Sequence, residues 1–291
     1  MTGEAGAAPG FPAGPWLEEL VAAALREDVG SGDATTAIAV DPGALATGCL
    51  RARQDGVVAG LPLAARVWNG LSAAVMFTPV VPDGTAVAGG QVVARVSGPA
   101  AAVLTGERLA LNFVQHLSGI ATLTARYVAA VAGTGCRVLD TRKTVPGYRL
   151  LAKYAVRCGG GANHRLGLYD RILLKDNHWA AGEPLEAMVA RARRLYPALP
   201  VEVEVDTADQ LARVLPLGVE WIMLDNFTVD GVVSAVAARD AVGSTALLEV
   251  SGNVTLETIA AYARAGADAA SVGRLTHSAP ALDLGLDLEC A

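Results

Sequence analysis

Basic side chains are concentrated in one stretch of this otherwise acidic chain. Nine of the 23 Lys and Arg residues lie between Cys136 and Ala180, with only three acidic residues beside them, whereas the whole chain carries a net charge of −6. The same stretch holds His164, His178 and a run of three glycines. A local excess of positive charge in an acidic protein predicts a focused field for a small anion and disfavours a nucleic-acid surface.

Residues suited to bind anions or cations follow the predicted strands of the second half of the chain. In chain order they are Asp140, Arg142 and Lys143, then Lys175, then Glu204 and Asp206, then Asp225, then Ser251, Gly252 and Asn253, and finally Gly273 and Arg274. In a parallel barrel the carboxyl ends of the strands converge on one mouth, where the active site lies. The sequence therefore predicts an active-site mouth built from these residues.

The second half of the chain alternates between predicted strands and helices. The strands are Val138–Asp140, Arg171–Lys175, Pro200–Val205, Trp221–Leu224, Ala246–Val250 and Ala269–Val272. The helices between them are Gly147–Arg157, Leu185–Tyr196, Ala208–Leu215, Val229–Ala238 and Leu256–Ala265. This alternation predicts a parallel sheet, either doubly wound or a barrel. Glycine-rich nucleotide-binding motifs are absent from the sequence, and the residues at the strand ends favour the barrel.

The first half of the chain has a different sequence pattern. A helix is predicted at Trp16–Asp28, and short β-rich runs broken by Gly and Pro extend from Ala46 to Val96, which predicts a small antiparallel domain. Two helices, Ala101–Leu117 and Thr122–Val131, follow with a predicted joint at Ser118-Gly119. Asp28 and Asp33 are interpreted as helix-end capping residues.

The basic residues divide into two predicted groups. Arg142, Lys143, Arg165, Lys175 and His164 form a cluster suited to carboxylate or phosphate groups, because arginine binds such groups in a fork. A lysine at a strand end is alternatively a Schiff-base nucleophile. The other group, which recurs at four-residue intervals and is predicted to lie on a solvated helix face, comprises Arg149, Lys153 and Arg157.

Two carboxylates and two glycine-containing loops complete the predicted mouth. Glu204 and Asp225 form a pair that suits Mg²⁺ bound together with a diphosphate, and the alternative is that they neutralise basic neighbours as salt bridges. Ser251-Gly252-Asn253 and Gly273 each follow a strand and precede a predicted helix, a position that favours an anion. These residues predict a metal-diphosphate corner and a phosphate corner.

Composition sets the protein class. The chain has 291 residues, of which 52% are hydrophobic and 18% charged, as in a globular protein rather than a disordered one. Residues 1–15 are interpreted as a flexible tail without signal-peptide character, and no apolar run is long enough to span a membrane. The four cysteines, at positions 49, 136, 158 and 290, form no paired motif, so we expect free thiols and a cytoplasmic location.

At this level of detail the chain resembles a known family, the quinolinate phosphoribosyltransferases. The motifs of the basic stretch that carry the resemblance are Thr141–Gly147, Lys153–Val156, Gly159–Arg165 and Lys175–His178. Further matching motifs are Glu27-Asp28, Gly32-Asp33, Glu107-Arg108, Leu111-Asn112, Val203–Asp206, Leu224–Asn226, Glu249–Asn253 and Val272–His277. The resemblance covers nearly the whole chain after the tail.

The resemblance implies a fold and a reaction. The fold is an α/β plus α+β arrangement, in which an N-terminal α+β domain at 16–117, rejoined by 277–291, accompanies an incomplete parallel α/β barrel at 118–276. The expected reaction joins quinolinate to phosphoribosyl diphosphate with Mg²⁺ and releases nicotinate mononucleotide, diphosphate and CO₂. The expected assembly is a homodimer, with no nucleic acid or membrane as a partner.

The resemblance also implies roles for individual residues. Those expected to line the quinolinate pocket are Arg142, Lys143, His164, Arg165 and Lys175, and Arg108 is expected to reach the neighbouring subunit's site. Glu204 and Asp225 would serve the ribose and Mg²⁺, and together with Lys143 and Lys175 they are the predicted catalytic residues. Those expected around the 5′-phosphate are Ser251, Gly252, Asn253, Gly273 and Arg274, with His277 nearby. Thr141 and Val272, in the same motifs, are predicted to bind substrate as well.

Two alternatives remain at this stage. A sister enzyme with the same frame, such as the molybdenum-transport-associated relative, would use another acceptor, although an acceptor without two carboxylates would leave part of the cationic set unpaired. The second alternative is a non-catalytic metabolite-binding or assembly protein that kept the fold. Release of diphosphate distinguishes this second alternative from an enzyme.

Overall fold

The chain divides into two units, and their secondary structure matches the predicted fold class. The structure, a computed structural model, describes residues 9–175, 178 and 183–289. The first unit takes the chain up to Ala125 together with 150–160 and the segment from Ser278, and the second takes 126–149 and 161–277. Residues 1–8 of the predicted tail, Asp176 and Asn177 of the quoted motifs, and Cys290 lie outside the described residues.

The N-terminal unit is an antiparallel sheet with helices. Its helices are α1 (Pro15–Val29), α2 (Ala34–Ala39), α3 (Leu61–Leu71), α4 (Ala100–Ala130) and α5 (Arg149–Cys158), although the ends of α4 and α5 belong to the second unit. Its strands are β1 (Leu45–Ala52), β2 (Gly56–Val57), β3 (Met76–Pro79), β4 (Ala86–Val87), β5 (Val92–Pro99) and β12 (Leu284–Glu289). Four strands form one sheet in the order β12-β1-β5-β3, and β2 pairs with β4.

The helix α4 corrects one prediction. The joint predicted at Ser118-Gly119 is wrong, because α4 runs through both residues without a break. The Ser118 hydroxyl accepts a hydrogen bond from the amide of Ala59 at 2.9 Å, so it serves a neighbouring segment. A Cβ at Gly119 would lie 2.1 Å from the carbonyl oxygen of Pro280, so this glycine permits close packing rather than a turn.

The second unit is a parallel α/β unit. Its strands are β6 (Arg137–Leu139), β7 (Ile172–Leu174), β8 (Val201–Val205), β9 (Trp221–Asp225), β10 (Leu247–Ser251) and β11 (Ala269–Ser271). Its helices are α6 (Leu185–Leu195), α7 (Ala208–Val214), α8 (Val229–Ala241), α9 (Ile259–Arg264) and α10 (Arg274–His277). The six strands pair in parallel in the order β6-β11-β10-β9-β8-β7.

The sheet of this unit is curled. The guanidinium carbon of Arg137, in the end strand β6, lies 5.0 Å from the ring centre of Trp221 in the inner strand β9. The guanidinium carbon of Arg171, which immediately precedes the other end strand β7, lies 4.7 Å from the ring centre of the same residue. Because both ends of the sheet approach one inner strand, the sheet cannot be flat. The fold class is thus confirmed, and closure as an incomplete barrel stays a prediction.

Strand β8 shows how the interior of the curled sheet becomes polar. All five of its residues are buried, with Val201, Val203 and Val205 on one face. Alternate side chains of a strand point to opposite faces, so Glu202 and Glu204 share the other face. Glu204 has Met223 as its partner in β9, and Met223 in turn has Glu249 as its partner in β10. The concave face of the sheet therefore holds carboxylates at two depths below the strand ends, with Glu204 nearer the end of β8 and Glu202 two residues further from it.

Among the described residues, no helix is both long enough and apolar enough to cross a membrane. This finding includes α4, which has 31 residues.

Candidate active site

A cavity of about 470 Å³ opens at the carboxyl ends of the parallel strands. It is lined by Thr141, Arg142, Lys143, His164, Arg165, Leu173, Lys175, Glu204, Met223, Asp225, Ser251 and Ser271. Every one of these residues belongs to the second unit. The volume is that of a small-molecule site. The prediction that strand-end residues share one mouth is borne out for Arg142, Lys143, Lys175, Glu204 and Asp225.

The loop after β6 presents two cations to the cavity. The Lys143 amide donates to the Thr141 hydroxyl at 3.0 Å, and the Thr276 hydroxyl donates to the Lys143 carbonyl at 2.7 Å. Arg149 supports the same loop by donating to the Thr144 hydroxyl at 3.2 Å and to the Arg142 carbonyl at 3.4 Å. These bonds fix the backbone from which Arg142 and Lys143 extend.

The predicted solvated helix face is wrong for two of its three residues. Arg149 is a half-buried donor within the loop just described, and Lys153 is only 3% exposed. Arg157 is exposed as predicted. A four-residue interval places side chains on one face of a helix, but it does not say whether that face meets solvent or protein.

Two arginines, Arg142 and Arg165, line the cavity together. Burial, and then the nearby positive charge of Arg142, lower the pKa of Arg165 below its ordinary value. The Arg142 Nε atom is buried and has no hydrogen-bond partner among the described residues. A buried donor without an acceptor is costly, so this pair is suited to receive the carboxylates or phosphate of a ligand.

A carboxylate pair lies opposite these cations. Lys175 forms an ion pair with Glu204, and Asp225 accepts a hydrogen bond from the Asn226 side chain at 2.8 Å. The alternative that the carboxylates neutralise basic neighbours as salt bridges is thus confirmed for Glu204, whose Oε2 atom pairs with Lys175. Both carboxylates still line the cavity.

The loop after β10 is held in a left-handed conformation. Asn226 and Asn253 have φ values of 56° and 50°, and the Asn226 amide donates to the Ser251 carbonyl at 2.9 Å. Gly252 has a φ of 87°, and a Cβ there would lie 2.2 Å from the Asn226 side-chain oxygen. Only glycine fits this position without displacing Asn226. The helix predicted from Leu256 begins later, at Ile259, because residues 256–258 form a turn.

The remaining predicted site residues do not line the cavity. They are Arg108, Gly252, Asn253, Val272, Gly273, Arg274 and His277. Gly273 is close behind it, because a Cβ there would lie 3.1 Å from the Lys143 side chain and 3.3 Å from Nε2 of His277. Val272 is 1% exposed and packs in the core, whereas Arg108 and Arg274 are exposed. The substrate-binding roles assigned to all seven stay predictions.

A buried polar cluster beneath the cavity was missed at the level of sequence. His164 Nε2 lies 3.1 Å from Glu202 Oε2 and 3.5 Å from Glu249 Oε2, and Arg171 Nη1 lies 3.1 Å from Glu202 Oε2. Ser271 donates its hydroxyl proton to Glu249 at 2.6 Å. The signal was present in the sequence, because Glu202 and Glu249 precede Glu204 and Ser251 by two residues and so share their strand face.

The pKa values of the two glutamates of this cluster are shifted in opposite directions. Burial, reinforced by the negative charge of Glu202, raises the pKa of Glu249 well above its ordinary value. Burial also acts to raise the pKa of Glu202, but hydrogen bonds and positive charge from His164 and Arg171 outweigh it and hold that pKa below its ordinary value. The ligating atoms of His164, Glu202 and Glu249 lie within 4.8 Å of one another, but the Arg171 guanidinium already supplies a positive charge there.

His164 is oriented from both sides. Asp140, which is fully buried, accepts the His164 amide at 3.0 Å and the Asn163 side chain at 2.6 Å. The Arg165 amide donates to His164 Nδ1 at 2.7 Å, while Nε2 faces the glutamates. Asp140, predicted at a strand end in the mouth, therefore positions the residues that line the cavity.

The parallel α/β unit carries a cationic cavity and a carboxylate pair at the carboxyl ends of its strands. These features define an enzyme that acts on small molecules with several negative charges. Family models for the N-terminal and C-terminal domains of quinolinate phosphoribosyl transferase match residues 33–118 and 120–287. The chain belongs to the quinolinate phosphoribosyltransferase family.

Individual relatives agree with this assignment. The chain is 46% identical to the carboxylating nicotinate-nucleotide pyrophosphorylase of Mycobacterium leprae, over 93% of this chain and 96% of the relative. The nicotinate-nucleotide pyrophosphorylase structure from Francisella tularensis superposes with a TM-score of 0.90 at 38% identity, covering 94% of this chain and 96% of that one. The NadC structure from Streptococcus pyogenes has a TM-score of 0.89 at 40% identity, covering 97% and 100%.

Proposed function

We propose that this protein transfers a phosphoribosyl group from phosphoribosyl diphosphate to quinolinate and releases diphosphate, CO₂ and nicotinate mononucleotide, a step of NAD biosynthesis. The observation that carries the proposal is the cavity itself. It brings Arg142, Lys143, Arg165 and Lys175 together with Glu204 and Asp225. The curated relatives are named as carboxylating nicotinate-nucleotide pyrophosphorylases.

The charges of the cavity suit the acceptor. Quinolinate carries two carboxylates, and Arg142 and Arg165 both line the cavity, where the buried Nε of Arg142 has no hydrogen-bond partner among the described residues. Burial and then the charge of Arg142 lower the pKa of Arg165, and two bound carboxylates would offset both effects and give the Arg142 donor a partner. Nicotinate, with one carboxylate, would leave a buried charge unpaired.

The transfer itself needs little proton chemistry. The pyridine nitrogen has a free lone pair, so its attack on the C1 carbon of the sugar requires no general base. Catalysis then depends on positioning and on charge stabilisation. Glu204 and Asp225 would stabilise the positive charge that develops on the ribose, while Lys143 and Lys175 would stabilise the departing diphosphate.

The same carboxylates suit a magnesium ion. Glu204 and Asp225 supply oxygen ligands from neighbouring strands in one cavity, and Mg²⁺ prefers one or two carboxylates together with substrate phosphates. We infer that these two residues would hold Mg²⁺, which when bound supplies positive charge to the diphosphate. The Oε2 atom of Glu204 is paired with Lys175, so this ion pair would rearrange or share its oxygen.

We also infer a cytoplasmic homodimer in which Arg108 serves the partner's site. Arg108 is exposed on α4 and is not among the residues that line the cavity of its own chain. The described cysteines, Cys49, Cys136 and Cys158, are buried thiols that form no disulfide with one another, in keeping with a reducing compartment. The resemblance stated above supplies the role of Arg108 across the interface.

The test is product release by the purified protein with quinolinate, phosphoribosyl diphosphate and Mg²⁺. We expect diphosphate and CO₂ in equal amounts with quinolinate and neither product when nicotinate replaces it. Release of diphosphate with nicotinate but not with quinolinate would contradict the two-carboxylate pocket. Binding of both substrates without any release would favour the non-catalytic alternative.

A further inference from the structure

Ser271 connects the cavity with a deeper carboxyl group. Its side chain lines the cavity although the residue is only 6% exposed, and its hydroxyl lies 2.6 Å from Glu249 Oε1. Glu249 is fully buried in β10, one strand away from Ser271 in β11. The pair therefore forms a short path from the cavity floor to a group that solvent does not reach.

The contacts of the cluster favour Glu202 over Glu249. Arg171 Nη1 and His164 Nε2 each lie 3.1 Å from Glu202 Oε2, whereas His164 Nε2 lies 3.5 Å from Glu249 Oε2. His164 Nδ1 accepts the Arg165 amide, so Nε2 is the ring nitrogen that faces the glutamates.

These unequal contacts determine where a proton resides. A fully buried carboxylate that lacks a close cation is costly in a low-dielectric interior, and such a group takes up a proton instead. Glu202 is the better stabilised anion, because His164 and Arg171 both donate to its Oε2 atom. Its partner Glu249 accepts the Ser271 hydroxyl at 2.6 Å, and within the part of the chain that the structure describes its Oε2 atom has no hydrogen-bond partner. The raised pKa of Glu249 agrees with this assignment.

The proposed reaction requires a proton at one defined atom. Loss of CO₂ from the ring carbon next to the pyridinium nitrogen, C2, leaves an electron pair on that carbon. The carbon must gain a proton before nicotinate mononucleotide is complete. A neutral carboxyl group near working pH suits the role of a general acid.

We propose that Glu249, acting through the Ser271 hydroxyl, is the acid that protonates C2 after CO₂ has left. The inference rests on the proposed function. In the balanced step, the bond from C2 to the carboxylate breaks and CO₂ departs, while the electron pair stays on C2. This pair takes the Ser271 hydroxyl proton, Glu249 passes its own proton to the Ser271 oxygen, and the resulting Glu249 carboxylate regains a proton from water after product release.

The position of Ser271 distinguishes it from the lysines of the cavity. Lys175 is engaged with Glu204, the carboxylate assigned to the ribose side, and Lys143 extends from the loop after β6. Ser271 is the last residue of β11, is only 6% exposed, and donates a hydrogen bond to Glu249, the residue that holds the exchangeable proton. Glu249 and Ser271 are neutral, so they add no charge to compete with the cations for the second carboxylate.

The decisive measurement is the isotope content of C2 in the product. The enzyme with Mg²⁺ is run in equal parts of H₂O and D₂O, and the C2 proton of nicotinate mononucleotide is integrated by NMR against a ring proton that does not exchange. The ratio of hydrogen to deuterium reports the group that delivers the proton. We expect this ratio to change in Ser271→Ala and Glu249→Gln and to stay near the wild-type value in Ser271→Thr, which keeps the hydroxyl.

Single-turnover rates provide a second readout. In Glu249→Gln, formation of nicotinate mononucleotide with its C2 proton should fall about 100-fold, the usual contribution of a general acid, while diphosphate release, which precedes this step, keeps its wild-type rate. An unchanged isotope ratio in both variants, or an equal fall in the two rates, would overturn the proposal and point to water, a lysine or a purely structural role. Wild-type enzyme that releases no diphosphate from quinolinate would instead contradict the proposed function, so the two failures differ.

Discussion

At the scale of single residues, depth along a strand separates residues of the same type into different roles. Glu204 lines the cavity and pairs with Lys175, whereas Glu202, two residues earlier on the same face, is fully buried under His164 and Arg171. The basic stretch divides in the same way. Arg142 and Lys143 face the cavity, while Arg171 neutralises Glu202. Function at each position depends on how far the residue lies from the strand end.

Gly252 allows a specific prediction at this scale. Replacing it with alanine adds a Cβ 2.2 Å from the Asn226 side-chain oxygen and displaces Asn226, which donates to Asp225. Because Asp225 is assigned to the ribose and Mg²⁺, we expect the KM for phosphoribosyl diphosphate to rise about tenfold, or roughly 1.4 kcal/mol, with a smaller change for quinolinate. Steady-state kinetics with each substrate varied in turn will measure this difference.

The matched control is Gly243→Ala. Gly243 also has a positive φ, 66°, but a Cβ there would meet nothing within 4 Å, and the residue lies beyond the end of α8. Both variants bear the cost of alanine in a left-handed conformation, about 1–2 kcal/mol, so a general loss of stability appears in both. An equal rise of KM in the two variants would contradict the role given to the Asn226 contact.

The sequence could predict those site residues that directly follow or end a recognisable strand. Arg142, Lys143, Lys175, Glu204 and Asp225 follow clear hydrophobic runs, and the convergence of parallel strands did the rest. The burial of Lys153 was not predictable, because periodicity gives the face of a helix but not what packs on that face. The pairing of Glu202 with Glu249 was not predictable either, since it needs the order of strands in the sheet.

At the scale of elements, helix α4 shows the limit of a local signal. A Ser-Gly pair usually weakens a helix, and this property led to the predicted joint. Tertiary contacts override that preference here, because Ser118 bonds to Ala59 and Gly119 leaves room for the Pro280 carbonyl. The sequence predicts the hydrophobic pattern on both sides of the pair. It does not reveal which distant segment needs the space.

Asp83 joins three elements of the N-terminal unit and gives a prediction about stability. It accepts the amides of Gly60 and Leu61 at the start of α3, at 2.7 and 3.1 Å, and the Tyr154 hydroxyl of α5 at 2.7 Å. Asp83→Ala would leave these buried donors without a partner, so we expect a loss of about 3 kcal/mol or more in the free energy of unfolding. Urea unfolding will measure it.

The same residue predicts a pH dependence with a definite sign. Burial raises the pKa of Asp83 despite its three hydrogen bonds, so the folded state holds the proton more tightly than the unfolded state. The stabilising contribution is complete below about pH 3.9, the unfolded value, and is lost as the pH rises through the folded pKa. Wild-type protein should therefore lose stability relative to Asp83→Asn as the pH rises from about 4. A constant or opposite difference would contradict the buried carboxyl.

At the scale of the whole molecule, positive and negative side chains are concentrated in different places. The net charge is −6, yet the cavity of the second unit collects four cations, and the carboxylates on its concave face lie at two depths. The curl that brings Arg137 and Arg171 to Trp221 gathers the carboxyl ends of six strands around that space. A flat sheet with the same sequence would spread these charges along an edge, where solvent would screen them.

The proposed homodimer makes the last prediction. If Arg108 of one protomer serves the site of its partner, Arg108→Ala and Glu204→Gln are each nearly inactive alone, but a mixed dimer of the two contains one complete site. In that dimer, the protomer with intact Glu204 receives Arg108 from the other chain, and both substitutions fall on the second site. After random exchange of subunits, half of the dimers are mixed, so about one quarter of the wild-type activity should return.

The experiment separates assembly from catalysis. The two variants are mixed, dissociated in mild denaturant and reassembled, and diphosphate release is compared with that of each variant treated in the same way alone. An Arg108 that acted within its own chain would leave each site of a mixed dimer with one defect, so no activity would return. Mass measurement of differently tagged variants confirms that mixed dimers have formed. If mixed dimers form but no activity returns, the action of Arg108 across the interface is contradicted. The cavity of each protomer would then work with its own residues.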